Sequence, residues 1–193
     1  MPHVDNPMPW TLSHRADQRV RVIADRHYNR QSVGAMQFVP PGRCLVLSGP
    51  SAFWITSWPF AEYVRHAWAG AWVCSAFRNE GTARSSDLIK SALSVTRWRW
   101  SRAPAVEGWA LRRRHDRTDV ARTEFAMVTF VNTAKTMTKR DPGRCFRRAG
   151  FVEIGETAGG LVALGISIRD MPPAREPHGA QCELFTRSAL DVA

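Results

Sequence analysis

A mixed α/β (α+β) chain is what this sequence predicts, with one central, twisted, mostly antiparallel sheet flanked by helices. Three observations carry the prediction. Arg43–Ser48 (RCLVLS) and Phe53–Ser57 (FWITS) are β-branched and aromatic runs joined by Gly49-Pro50-Ser51, the pattern of a hairpin. Trp72–Phe77 (WVCSAF) is a strand that runs directly into small residues and a helical pattern over Asp87–Val95. Met127–Thr157 then reads strand (MVTFVN), basic polar loop, short helix (RCFRRAGF, closed by Gly150) and strand again, the order of a βαβ-type unit.

The remaining elements follow in order. Met1–Trp10 is Pro-rich and reads as a loose arm. Leu12–Tyr28 reads as a helix because Val20, Ile23, Ala24 and Tyr28 recur at helical spacing, with Ser13 or Asp17 as its start. Gln31–Gly42 is a loop. Phe60, Tyr63, Val64 and Trp68 share a stripe and predict a short helix over Phe60–Trp68. Pro142 suits the start of the RCFRRAGF helix, and Leu161–Ile168 is a further strand. Met171–Pro177 is a Pro-rich exit. The organisation is a single domain over 1–170, with a basic Arg/Trp insertion at about 97–124, and a C-terminal tail over 171–193.

The 193 residues are 44% hydrophobic and 10% aromatic, enough for one packed core. Eight tryptophans are an unusual share, and core filling is their default use. The net charge of +10, almost all from arginine, points to a polyanionic partner such as nucleic acid or a phosphorylated cofactor. Cys44, Cys74, Cys145 and Cys182 form no C-x-x-C pair and have no histidine at zinc-finger spacing, so reduced thiols and no metal site are expected. The chain opens without an apolar signal segment and has no run of membrane-spanning length, which predicts a cytoplasmic protein with no membrane partner.

Three clusters carry chemistry. His27-Tyr28-Asn29-Arg30 at a helix end is either a stabilising cation at a C-terminus or an acid–base and substrate-orienting pair. Arg78-Asn79-Glu80-Gly81-Thr82-Ala83-Arg84-Ser85-Ser86, between strand and helix, is either a helix cap or a phosphate cradle. Arg97, Trp98, Arg99 and Trp100, continuing to Trp109 and Arg112-Arg113-Arg114, are either a solvated loop or a surface that grips phosphates and stacks bases.

As an ordered set these pieces resemble the GNAT acyltransferase superfamily. Arg78–Ala83 resembles its R-x-x-G-x-G/A pyrophosphate loop, and Cys145–Phe151 its F-Y-x-x-x-G-F helix. The Arg43–Ser57 hairpin fits the second and third strands of that fold. Within the superfamily the chain is most similar to phage Mom-type DNA-modification proteins and their cellular relatives. His27-Tyr28 matches their His-Tyr motif, and Arg78-Asn79 with Ser85-Ser86 matches their R-N-x-x-S-type segment. Asn132, Gly143–Phe146 and Gly150-Phe151 match their strand end and the helix that follows it. The resemblance covers roughly Ala24–Leu164, apart from the insertion; it departs in the placing of Leu88-Ile89, two residues later than in a standard acetyl-CoA loop, and at two site positions. Asn132 stands for the family's Asp, and Phe146 stands for the Tyr that is the usual general acid. Phenylalanine has no proton to donate, which leaves Cys145, Tyr28 or water for that step.

The resemblance implies an acyl-type transferase that modifies a nucleobase amine in DNA, on a base flipped out or single-stranded. Acetyl-CoA or another acyl-type donor would be held by Arg78, Asn79, Gly81, Ser85, Ser86 and Phe146. His27, Tyr28, Asn132 and Cys145 would stand at the reacting centre. Arg30, Arg97, Trp98, Arg99, Trp100, Arg112, Arg113, Arg114 and Lys135 would contact the nucleic acid. Two alternatives use the same residues: an ordinary GNAT N-acetyltransferase acting on a small amine or protein, and a catalytically silent nucleic-acid-binding module.

Overall fold

The computed structural model describes residues 9–35, 42–59, 63–102, 125–136 and 141–179. Their seven strands are β1 (Thr11–Ser13), β2 (Gly42–Ser48), β3 (Ala52–Pro59), β4 (Trp72–Asn79), β5 (Phe125–Val131), β6 (Val152–Glu156) and β7 (Val162–Ser167). They form one open sheet in the order β1-β2-β3-β4-β5-β7-β6, antiparallel throughout except for the parallel pair β4 and β5. The helices are α1 (Gln18–Ala24), α2 (Ser85–Arg102) and α3 (Arg144–Arg148). The fold is therefore a mixed α+β architecture with few helices. Among the described residues no helix is long and apolar enough to cross a membrane.

The expected hairpin is β2 and β3, in register from Gly42↔Pro59 to Ser48↔Phe53. Its turn closes where Gly49 N–H donates to the Ala52 carbonyl at 2.8 Å. β3 is buried at every position because a core lies on each face of the sheet. Phe53 and Ile55 pack with Val20 and Ala24 of α1, whereas Trp54 joins Ile89, Leu93, Met127 and Leu164 beneath α2. That division follows the two-residue period of a strand.

Several elements differ from expectation. Thr11–Ser13 pairs along Val46–Ser48 as an edge strand, so the helix begins only after Asp17, whose carboxylate accepts from Arg19 N–H at 2.9 Å. It ends at Ala24. Asp25 is a carboxylate that the helix dipole disfavours at a C-terminus. It accepts instead from Arg30 Nε (2.7 Å) and Gly34 N–H (3.0 Å) and shapes the loop that follows. Residues 63–68, the described part of the expected Phe60–Trp68 helix, are not α-helical. There His66 Nδ1 takes the Trp68 N–H at 3.2 Å, and the aromatic rings turn onto the sheet.

α2 is longer than Asp87–Val95 and absorbs the start of the expected insertion. Leu88, Ile89, Ala92, Leu93, Val95, Thr96 and Trp100 are all buried, a helical stripe that interleaved arginines conceal in the sequence. Residues 103–124 lie outside the described residues. Trp10 is not in a loose arm: it is fully buried, and its Nε1 donates to the Leu88 carbonyl (3.1 Å) and Ser91 Oγ (2.8 Å). The start of the expected tail is tied to α2 and to β1. Arg97 Nη1 donates to the Met171 and Pro172 carbonyls (2.9 and 3.3 Å), Arg175 N–H to Ser94 (3.1 Å), and His178 N–H to Trp10 (3.0 Å).

α3 is the expected short helix. Gly143 caps its start at φ 81°, Ala149 caps its end, and Gly150 follows at φ 107° in the left-handed region. β7 lies between β5 and β6, so the βαβ-type unit is split by a strand that arrives later in the chain.

Candidate functional site

β4 and β5 are paired over three positions, from Trp72↔Met127 to Cys74↔Thr129, and then part. Thr129 Oγ1 donates to the Cys74 carbonyl at 3.1 Å at the point of parting. β4 also carries one extra residue there: Ala76 faces Ile55 and Cys74 faces Thr56, which leaves Ser75 as a bulge. The fork opens a cavity of about 330 Å³, within the size range of small-molecule sites. Its walls are Cys74–Asn79 of β4, Thr129–Val131 of β5, His27–Asn29 after α1, Ser85 at the start of α2, Thr136, and Gly143, Cys145 and Phe146 around α3.

Both faces of the sheet contribute. His27 stands against Phe53, a residue of the α1-side core, at 6.3 Å between ring centres. Phe146 packs against Trp54, Phe77 and Phe151 on the α2 side (6.5, 6.2 and 5.4 Å).

His27 and Tyr28 are stacked at 4.5 Å and 29°. Asn29 N–H donates to His27 Nδ1 at 3.2 Å, so the neutral ring carries its proton on Nε2. Burial raises the Tyr28 pKa, the Asn132 backbone bonded to its hydroxyl lowers it, and the Cys74 and Cys145 thiols raise it again. The net rise keeps the phenol protonated at neutral pH. Cys74 is wholly buried, which drives its thiol far above the usual range.

The loop between β4 and α2 is held from within. Asn79 Oδ1 accepts from Gly81 N–H (2.9 Å), and its Nδ2 donates to the Ala83 carbonyl (2.7 Å) and Ser85 Oγ (3.2 Å). Glu80 N–H donates to the Ser51 carbonyl at 2.8 Å. A Cβ on Gly81 would approach Ser51 Cβ to 3.2 Å, so a side chain there would press the loop against the hairpin turn. The Glu80 carboxylate takes Arg26 Nε (2.9 Å) and Arg78 Nε (2.7 Å), and Arg78 Nη1 donates to the Arg26 carbonyl (2.7 Å). Arg26 and Arg78 hold the Glu80 carboxyl down at about 2.

No family profile, curated protein or solved structure matches this chain.

Of the expected site residues, His27, Tyr28, Arg78, Asn79, Ser85, Cys145 and Phe146 meet in the cavity. Asn132 lies beside it. Its side-chain oxygen accepts from Lys135 N–H (2.9 Å) and caps the turn Ala134–Thr136, while its backbone faces Tyr28. Gly81 shapes the loop from outside the lining, and Ser86 is buried.

The expected nucleic-acid surface needs correction. Arg30 has a side chain only 8% exposed and is bonded to Asp25 and the Ala35 carbonyl. Arg97 ties down Met171 and Pro172. Trp98 and Trp100 are buried, with Trp100 packed on Trp72 at 5.1 Å, so neither offers a face to a base. Arg99 is half-buried on α2, and Lys135 is exposed beside Asn132. Arg112, Arg113 and Arg114 lie outside the described residues.

Sequence reasoning missed Cys74, Ser75, Thr129, Phe130 and Thr136 in the lining, and the exposed Arg144 between the lining residues Gly143 and Cys145. Thr129 had a signal, a hydroxyl on the core side of the apolar run MVTFV. The others had none.

Proposed function

We propose that this chain is a GNAT-type acyl transferase whose acceptor is a nucleobase amine in DNA, with adenine the base its Mom-type resemblance favours. The observation that carries the reading is the cavity at the β4/β5 fork, reached from both faces of the sheet and free of carboxylates among its described lining residues. An alkylamine or lysine arrives as an ammonium ion, and a site that desolvates it needs a carboxylate to pair with it and take its proton. A nucleobase amine arrives neutral, so it enters without an ion-pair partner and sheds a proton only as the acyl group arrives. The family's Asp is Asn132 in this chain, which removes that charge in the same direction.

The supporting arrangement is consistent. The hairpin supplies the second and third strands, the R-N-E-G-T-A segment runs from the end of β4 into the loop before α2, and the F-R-R-A-G-F helix follows β5. The donor would be held on the α2 side, where the helix brings the positive end of its dipole and Ser85 to the cavity edge, with Arg84 exposed at its start. A bound acyl thioester supplies an activated carbonyl and a sulfur that leaves as thiolate. Tyr28 carries a protonated hydroxyl bonded to the Asn132 backbone; it would give that proton to the departing thiolate, and its phenolate would take the proton the acceptor amine sheds on acylation. Tyr28 thus takes the role that Phe146 cannot fill. His27 Nε2–H orients the acceptor from the α1 side. Phe146 seals the cavity with Trp54, Phe77 and Phe151.

The test is a pair of calorimetric titrations on the full chain, acetyl-CoA and a single-stranded oligonucleotide, each alone and with the other present, at two salt concentrations. Independent binding of both, with only the oligonucleotide weakening strongly at high salt, supports two sites joined at one cavity. Mutual exclusion or absence of acetyl-CoA binding contradicts acetyl-CoA as the donor, and absence of oligonucleotide binding contradicts the DNA acceptor.

A further inference from the structure

On the α1 face of the sheet, beside the cavity, lies an aromatic shelf that the transfer step does not use. Met127 and Val131 belong to the α2-side core, so alternation turns Phe130 to the opposite face, the one that carries α1, His27 and Tyr28. Phe130 lines the cavity. Its ring lies 5.1 Å from His66 and 6.1 Å from Trp68, and the His66 and Trp68 rings are stacked at 6.2 Å and 30°.

The sheet explains why the shelf forms. Phe130 pairs with Ala163, and Ala163 with Gly155, so the three make one cross-strand row on one face. Two of the three are small. An added Cβ at Gly155 would meet Trp68 Cζ2 at 3.7 Å, so the indole lies over this row with Phe130 at its side. His66 Nδ1 accepts from the Trp68 backbone N–H, which orients the imidazole, and burial lowers the His66 pKa and favours a neutral ring. Phe130, His66 and Trp68 remain only half-buried, and Arg65 next to them is exposed.

Resting on the acyl-transfer reading above, we propose that this shelf is the acceptor subsite: a nucleobase stacks on Phe130 and Trp68 with its exocyclic amine toward Tyr28, and the strand's phosphates pass Arg65. Flat neutral rings bind a base by stacking without regard to sequence. The net charge of +10 favours a polyanionic strand and disfavours the cationic ligands that aromatic faces otherwise attract.

The experiment uses a single-stranded oligonucleotide with one 2-aminopurine between thymidines and a terminal dye. Dye anisotropy reports binding and 2-aminopurine fluorescence reports stacking, and neither needs an acyl donor. Wild type binds with quenching of about twofold or more, while Phe130→Leu and Trp68→Leu bind about fivefold or more weakly and lose the quenching. Circular dichroism verifies folding, and Phe130→Leu carries the test if Trp68→Leu does not fold. Binding with an unquenched probe, or equal quenching in both variants, overturns the shelf as the base subsite and leaves the transferase reading standing. No binding at low salt overturns both.

Discussion

Arg78, near the end of β4, donates to the backbone carbonyl of Arg26 at 2.7 Å and so ties the loop bearing His27 and Tyr28 to the strand that lines the cavity. Glu80 completes the clamp by accepting from both arginines. A residue whose motif suggests donor binding therefore also positions the loop that bears His27 and Tyr28. Arg78→Ala is expected to lower transfer about 100-fold, because small displacements of positioned groups cost that much. Arg78→Lys should not rescue it, since an ammonium cannot span carboxylate and carbonyl as the guanidinium fork does. Amide exchange at His27–Asn29 should rise in both variants; unchanged exchange would remove the clamp from the account.

The clamp also has a pH signature. The Glu80 carboxyl is held at about 2, below its ordinary value of 4.5, by Arg26 first and then Arg78. A depressed folded pKa means that its contribution is complete above about 4.5 and is lost as pH falls toward about 2. The melting temperature of wild type should thus fall more steeply between these limits than that of Glu80→Gln. The group is exposed, so the difference is small, and parallel curves would count against the clamp.

Tyr28→Phe removes the proton but keeps the ring stacked on His27. Transfer should fall about 100-fold or more, while oligonucleotide binding persists. Full activity in Tyr28→Phe would assign the proton transfer elsewhere, with Cys145 the next residue to substitute.

The hairpin, the βα loop and the short helix were legible because each rests on local signals: turn residues, two-residue alternation and a glycine cap. The start of α2 was legible too, but its second half was not, since Arg97, Arg99 and Arg102 around Trp98 and Trp100 imitate an exposed basic loop while the tryptophans fill a buried stripe. The cavity is less local still. It exists because β4 and β5, joined at Cys74 and Thr129, part beyond that pair, a relationship between residues far apart in the chain. His27-Tyr28 could be singled out by residue type, but only the fold brings it to Cys145 and Phe146.

The buried tryptophans give a stability contrast. Trp10 Nε1 has two acceptors, whereas the buried indole N–H groups of Trp58, Trp72 and Trp100 have no partner among the described residues. Trp10→Phe and Trp100→Phe remove similar volume, but only the first breaks hydrogen bonds. Denaturant unfolding should show Trp10→Phe the less stable by about 1–2 kcal/mol. The reverse order would mean that packing at Trp100 against Trp72 dominates.

We propose that the fork cavity transfers an acyl-type group to a nucleobase amine, with Tyr28 holding the proton. The most direct measurement is mass spectrometry of nucleosides from the DNA of cells expressing the wild-type chain or Tyr28→Phe at matched levels. The account predicts a new mass on an amine-bearing nucleoside, deoxyadenosine first, in wild type and its loss in the variant. Unmodified DNA beside abundant, folded wild-type protein would contradict the claim, and undiminished modification with Tyr28→Phe would contradict its mechanism.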